Sequence, residues 1–226
     1  MVITLILSLI WMRSINFLAD KNVLSTNVSR KLIHIGTGPV FVLCWLLFPD
    51  KDISRFLAAA APFLIVVQVL AVGLGLFKDY TSVKSMARTG LKQELLKGPL
   101  FYGVIFVLLT LFFWKSVHAV IALMILCGGD GAADLIGSRV KSLPIPWAKK
   151  KTLIGSAAML IAGSLLSLLM IFLVIFLPSN GLNFGVYVLP VFIITLAATA
   201  IESITPSDYD NITVPLVSLI LSMILL

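Results

Sequence analysis

Residues 117–137 read VHAVIALMILCGGDGAADLIG, an apolar run (Val117–Leu135) that ends in a glycine-rich decapeptide, Gly128 to Gly137, carrying Asp130 and Asp134. About 20 apolar residues suffice for an α-helix to cross the hydrocarbon core of a bilayer. A helix of this kind predicts a membrane span, and its two carboxylates then stand one turn apart on one face. Charge inside a membrane segment is costly and concentrates where it pairs, binds an ion or meets water, so the two aspartates mark a functional site at the end of the span.

The rest of the chain agrees with a membrane reading. Of the 226 residues, 60% are hydrophobic and only 12% are charged, and the mean hydropathy is +1.11. In soluble domains about a quarter of residues are charged. Eight apolar stretches can be drawn, at Val2–Leu18, Leu32–Phe48, Phe56–Phe77, Gly98–Trp114, Val117–Leu135, Leu153–Leu177, Phe184–Ser203 and Ile212–Leu226. The first lacks a basic leader and a small-residue cleavage site, which predicts a membrane helix and not a signal peptide. Cys44 and Cys127 lie within apolar runs and behave as small hydrophobes, not as a disulfide framework. No internal repeat or polar linker divides the chain. The expected fold is all-α, a polytopic membrane helical bundle of about eight transmembrane helices forming one domain over residues 1–226.

Charge orients this bundle. Arg13, Lys21, Arg30, Lys31, Lys78, Lys84, Arg88, Lys92, Lys97, Arg139, Lys141 and Lys149–Lys151 flank the connections after the first, third and fifth stretches, against Lys51, Arg55 and Lys115 on the other side. The positive-inside rule puts the richer side in the cytosol and both termini opposite. Glu94, Asp130, Asp134, Glu202, Asp208 and Asp210 fall on this same side. Carboxylates contribute little to topology, so their gathering there asks for a chemical reason.

The spacing of Asp130 and Asp134 suits shared coordination of a hard cation such as Mg2+. Gly128, Gly129 and Gly131 remove side chains that would keep phosphate oxygens from backbone N–H groups, although small residues also serve helix contacts in membranes. Downstream, Arg139 and Lys149-Lys150-Lys151 precede Thr152, Gly155 and Ser156 at a helix start. Cations, free N–H groups and a metal are together what a nucleoside triphosphate needs; anionic lipid head groups are the competing ligand for the lysines alone. Three more islands lie on this side: Arg30-Lys31-Leu32-Ile33-His34, Glu94-Leu95-Leu96-Lys97-Gly98-Pro99, and Glu202 with Asp208, Asp210 and Asn211. The last suggests a second metal or hydroxyl contact.

Taken in order, Arg30-Lys31-x-x-His34-Ile35-Gly36, Glu94-Leu95-Leu96-Lys97-Gly98-Pro99-Leu100, Gly128-Gly129-Asp130-Gly131-x-Ala133-Asp134 through Gly155-Ser156, and Glu202-Ser203 with Asp210-Asn211 and Pro215 resemble the polyprenol kinase family, nearest its phytol kinase branch. The resemblance implies a multi-pass enzyme, related to dolichol kinases, that phosphorylates an isoprenoid alcohol with CTP as donor and a divalent metal. For the phytol branch it implies phytol salvage toward tocopherol in an inner or thylakoid-type membrane. Departures are Thr152, where serine is usual, and Val140, where a glycine follows the arginine.

Residues and resemblance together give a set of expectations. Asp130 and Asp134 hold Mg2+ on the triphosphate. Arg30, Lys31, Lys97, Arg139, Lys149, Lys150, Lys151, Thr152 and Asn211, with the four glycines Gly128, Gly129, Gly131 and Gly155 and with Ser156, contact the nucleotide. Glu94, His34 and Asp210 are the candidate bases for the alcohol proton. The partners are a phytol-like alcohol, CTP and the bilayer, with no nucleic acid. Farnesol, geranylgeraniol or dolichol are alternative acceptors. A lipid nucleotidyltransferase and a transporter are the alternative classes.

Overall fold

The computed structural model describes residues 1–179 and 183–226. Every one of the eight apolar stretches forms a helix. We label the helices α1 (Val2–Asp20), α2 (Thr26–Cys44), α3 (Asp52–Leu74), α4 (Tyr80–Met86), α5 (Gly98–Phe112), α6 (Val117–Gly137), α7 (Leu153–Phe176), α8 (Val188–Ile204) and α9 (Asp210–Leu225). Among the described residues, seven helical stretches have the length and hydropathy to cross a membrane, while α9 has 16 residues. At 1.5 Å per residue that is about 24 Å, short of the roughly 30 Å hydrocarbon core.

Local sequence sets the helix ends. Ser25 caps α2 by accepting the Val28 N–H at 3.4 Å, and Thr152 caps α7 by accepting the Gly155 N–H at 3.2 Å. Gly75 closes α3 in the left-handed region, at φ +83°, where a side chain is disfavoured. The narrow break between α5 and α6 is made by Lys115, itself at φ +53°, and by Ser116, whose hydroxyl accepts the Ala119 N–H at 3.2 Å. Lys115 reaches back to the Phe48 carbonyl at 2.9 Å and Asp50 at 2.6 Å, which ties this turn to the end of α2.

The core is α6. Its span is 83% buried, against 11% for α1, so α6 runs through the interior while α1 lies at the periphery. Residues Ala119 to Cys127 are fully enclosed. Helices α2, α7, α8 and α9 pack around α6, and α3 pairs with α5. Close approach depends on glycine. A Cβ at Gly128 would press into Leu166, one at Gly129 would meet the Met159 Cγ at 3.3 Å, and one at Gly163 would meet the Thr195 Cγ2 at 2.9 Å. Within α6, residues Ile125–Asp130 take a π-helical turn, a geometry often found at functional sites.

Two elements were not anticipated from the sequence. The loop after α6 folds into an antiparallel hairpin, β1 (Pro144–Ile145) and β2 (Ala148–Thr152), in which Pro144 pairs with Thr152 and Ile145 with Ala148. The hairpin is held to α8 by Trp147, whose Nε1 donates to the Ser203 hydroxyl at 3.1 Å. The short α4 is fixed by Asp79, which accepts the N–H groups of Thr81 and Ser82 at 3.1 Å each and the Gln68 amide at 2.8 Å. Neither carries an apolar periodicity long enough to register against the membrane spans.

Candidate active site

The ends of α6, α8 and α9 converge on one point. Asp130 closes the π-helical turn of α6, Glu202 stands in the last turn of α8, and Asp210 opens α9. One oxygen of each carboxylate lies within 4.8 Å of those of the other two, and all three residues are buried. Asp210 sits favourably at a helix N-terminus, whereas Glu202 is near the negative end of α8. Lys151 offsets that disadvantage. Its ammonium lies 2.7 Å from the Glu202 Oε1 and also donates to the carbonyls of Glu202 and, at 3.0 Å, Thr205.

The pairing expected of Asp130 with Asp134 is not the arrangement found. Asp134 is ion-paired with Lys31 of α2, a lysine that is only 9% exposed and so needs a counter-ion. Asp130 instead faces Glu202, Asp210 and His34, whose Nε2 is 3.6 Å from the Asp130 Oδ2 and 3.3 Å from the Leu126 carbonyl. The His34 ring lies against Tyr102 at 4.4 Å, and the Tyr102 hydroxyl donates to the His34 carbonyl at 3.0 Å.

These groups border a cavity of about 960 Å3. Its polar end is lined by Arg30, Lys31, Arg88, Lys97, Lys150 and Lys151 together with Asp130, Asp134, Glu202, Asp208 and Asp210. Thr152, Gly155, Ser156 and Asn211 line it too. Arg88, marked in the sequence only as one of the orienting cations, stands 3.9 Å from Asp208. Glu202 was visible only as part of an acidic island, and the signal for its role is spatial: it lies more than seventy positions from Asp130 in the chain.

Other expected contacts go elsewhere. Gly128, Gly129 and Gly131 are buried in α6 against Leu166, Met159 and Ile35, and their N–H groups belong to a helix, not to an open phosphate nest. Arg139 donates to the Leu135 carbonyl at 2.6 Å and so caps α6, and Lys149 is exposed on β2; neither lines the cavity. Glu94 accepts the N–H groups of Arg88 and Thr89 at 2.7 and 2.9 Å and the Thr89 hydroxyl at 3.0 Å. Its carboxylate therefore clasps the loop before α5, while Glu94 still lines the cavity.

The donor set fits a hard divalent cation. Three buried carboxylates face one ammonium, an excess of negative charge that an interior tolerates poorly without a counter-ion. Beside them the buried carbonyl oxygen of Asn211 has no hydrogen-bond partner, although its amide nitrogen donates to Asp210 at 3.2 Å. Oxygen donors of this kind are those that Mg2+ and Ca2+ select.

Comparison with known proteins decides the family. Over 216 residues the chain is 38% identical to a probable phytol kinase, chloroplastic, of Triticum aestivum, covering 94% of this chain and 72% of that protein. It belongs to the polyprenol kinase family, in the phytol kinase branch. Phytol kinase 1, chloroplastic, of Arabidopsis thaliana is 35% identical over 210 residues, covering 92% and 69% of the two chains. Farnesol kinase, chloroplastic, of the same plant is 35% identical over 213 residues, with 92% and 68% covered. No family model matches the chain, and no solved structure matches it. In this chain the cavity joins a carboxylate and cation cluster to an apolar interior.

Proposed function

We propose that this protein transfers the terminal phosphate of CTP to a bilayer-dissolved isoprenoid alcohol, phytol foremost, at the cytosolic mouth of the bundle. One observation carries the reading: a single cavity runs from Asp130, Glu202, Asp210 and a ring of basic residues to apolar side chains between membrane helices. An alcohol with a long apolar tail dissolves in the bilayer and a nucleotide in water. A kinase acting on both needs a cavity that meets both phases. The relatives named phytol kinase and farnesol kinase support the acceptor class; the choice of CTP rests on the sequence resemblance.

In this reading Asp130, Glu202 and Asp210 hold Mg2+, with the Asn211 carbonyl beside them, in place of the Asp130 and Asp134 pair read from the sequence. When bound, the ion neutralises triphosphate oxygens and stabilises charge on the transferring group. Arg30, Arg88, Lys97 and Lys150 line the same end and attract the remaining phosphate charge. Lys31 and Asp134 fix α2 against α6, which holds His34 at Asp130. With its Nε2–H directed at the Leu126 carbonyl, His34 would accept the hydroxyl proton at Nδ1 as the alcohol oxygen bonds to the terminal phosphorus and the bond from that phosphorus to the nucleoside diphosphate breaks. Salvage of phytol toward tocopherol is the corresponding physiological role.

A matrix of CTP, ATP, GTP and UTP against phytol, farnesol, geranylgeraniol and dolichol, in membranes with and without Mg2+, tests the reading. Release of CDP with an alkyl phosphate supports it. Release of pyrophosphate with a cytidylyl lipid would establish the nucleotidyltransferase class instead.

A further inference from the structure

The cavity's apolar limb is walled by Leu9 of α1, Phe41 of α2, Leu64 and Val69 of α3, and Phe106 of α5. Its inner end is closed. Phe41 and Phe106 are each 3% exposed and their rings are 5.4 Å apart. Phe41 lies two turns beyond His34 on α2, so the depth from the reacting end to this floor is about 10 Å. An extended phytyl or farnesyl chain is longer than that and cannot end there.

The side wall is different. Leu9 and Leu64 both line the cavity, yet they are 45% and 50% exposed. Residues that face a cavity and the surroundings at once mark an opening, and at the middle of α1 and α3 the surroundings are bilayer. Helix α1 is also the least buried span, so little packing closes this seam.

We propose that the alcohol reaches the site sideways through the seam between α1 and α3, with Leu9 and Leu64 as the portal and the Phe41–Phe106 pair as the floor that turns the chain outward. The proposal rests on the alcohol-kinase reading and deepens it. The hydroxyl end is held at the carboxylates, the first part of the chain fills the limb, and the rest of the tail remains in lipid. The substrate class is therefore membrane-dissolved isoprenoid alcohols whose far end is not measured by the protein.

Photolabelling reads this pose without depending on turnover. A phytol analogue with a diazirine at its far end is equilibrated with the full-length protein in lipid nanodiscs, irradiated, and mapped by peptide mass spectrometry. Label on peptides containing Leu9 and Leu64, and on lipid, is expected. Label confined to the Phe41 and Phe106 peptides would overturn the portal. If the analogue labels α1 and α3 yet yields no alkyl phosphate with any nucleotide, the portal stands and the kinase reading fails.

A second measurement uses Leu9→Trp with Leu64→Trp, at exposed sites where added bulk disturbs little packing. Once melting temperature shows the variant folded, kcat/KM for phytol should fall about tenfold more than for dimethylallyl alcohol, which is too short to cross the portal. An equal change for both alcohols, or none for either, would contradict the proposal.

Discussion

The Lys151 ammonium lies 2.7 Å from the Glu202 Oε1 while donating to two carbonyls at the end of α8. It links β2 to the carboxylate group and holds Glu202 toward Asp130. Lys151→Met removes the partly buried partner of a buried Glu202, a change whose cost approaches the about 3–5 kcal/mol typical of a broken buried pair. A lower melting temperature in detergent is expected, with partial recovery in Lys151→Arg; unchanged melting would remove Lys151 from this role.

Asp130 and Asp134, equivalent in the sequence, should separate in function. Asp130→Asn and Asp210→Asn each strike the carboxylate group and should lower kcat by about a hundredfold or more. Asp134→Asn only weakens the tie to Lys31 and should lower it by about tenfold, with the Mg2+ requirement unaltered. Metal titrations of purified variants check the order, and equal losses would argue for the sequence-based pair.

The glycines of α6 are expected to act on stability. Gly129→Val adds bulk where a Cβ already meets the Met159 Cγ at 3.3 Å and the Gly163 Cα at 3.5 Å. Overpacking of this kind costs about 1–3 kcal/mol. Thermal melts should show it, whereas the nucleotide KM of the folded fraction should hold. A raised KM without loss of stability would restore these glycines to phosphate binding.

Asp79 gives a pH-dependent signature. Burial acts to raise its pKa, but hydrogen bonds from the Ser82 hydroxyl and N–H, Gln68 and the Thr81 N–H outweigh it and hold the carboxyl below its ordinary value. A depressed folded pKa means that the stabilisation is present above the unfolded value, about 3.9, and is lost as pH falls through the folded one. Asp79→Ala should cost about 1 kcal/mol near neutrality, as loss of a helix cap does. The difference from the parent should vanish in acid, as read from melts across pH.

Much of this architecture was legible in the sequence because lipid imposes one strong rule: spans must be long, apolar and helical. That rule placed eight of the nine labelled helices, all but the short α4, down to the break at Lys115 and Ser116. The acidic and basic islands were legible for the same reason, since charge stands out in such a chain. What the sequence did not carry was partnership. Helical periodicity puts Asp134 beside Asp130, but a buried Lys31 on α2 competes for Asp134, and only the packing of α8 and α9 around α6 brings Glu202 and Asp210 to Asp130. The glycines read either as a phosphate nest or as helix contacts, and only a folded α6 distinguishes the two. Glu94 likewise read as a candidate base for the alcohol proton, and only the folded loop before it shows two N–H groups, of Arg88 and Thr89, engaging its carboxylate.

The most direct test is transfer of labelled terminal phosphate from CTP to phytol by membranes containing the parent protein or folded Glu202→Gln. The account predicts Mg2+-dependent phytyl phosphate and CDP from the parent, and a loss of about a hundredfold or more in the variant. Full activity in Glu202→Gln, or no labelled alkyl phosphate from the parent with any nucleotide, would contradict it.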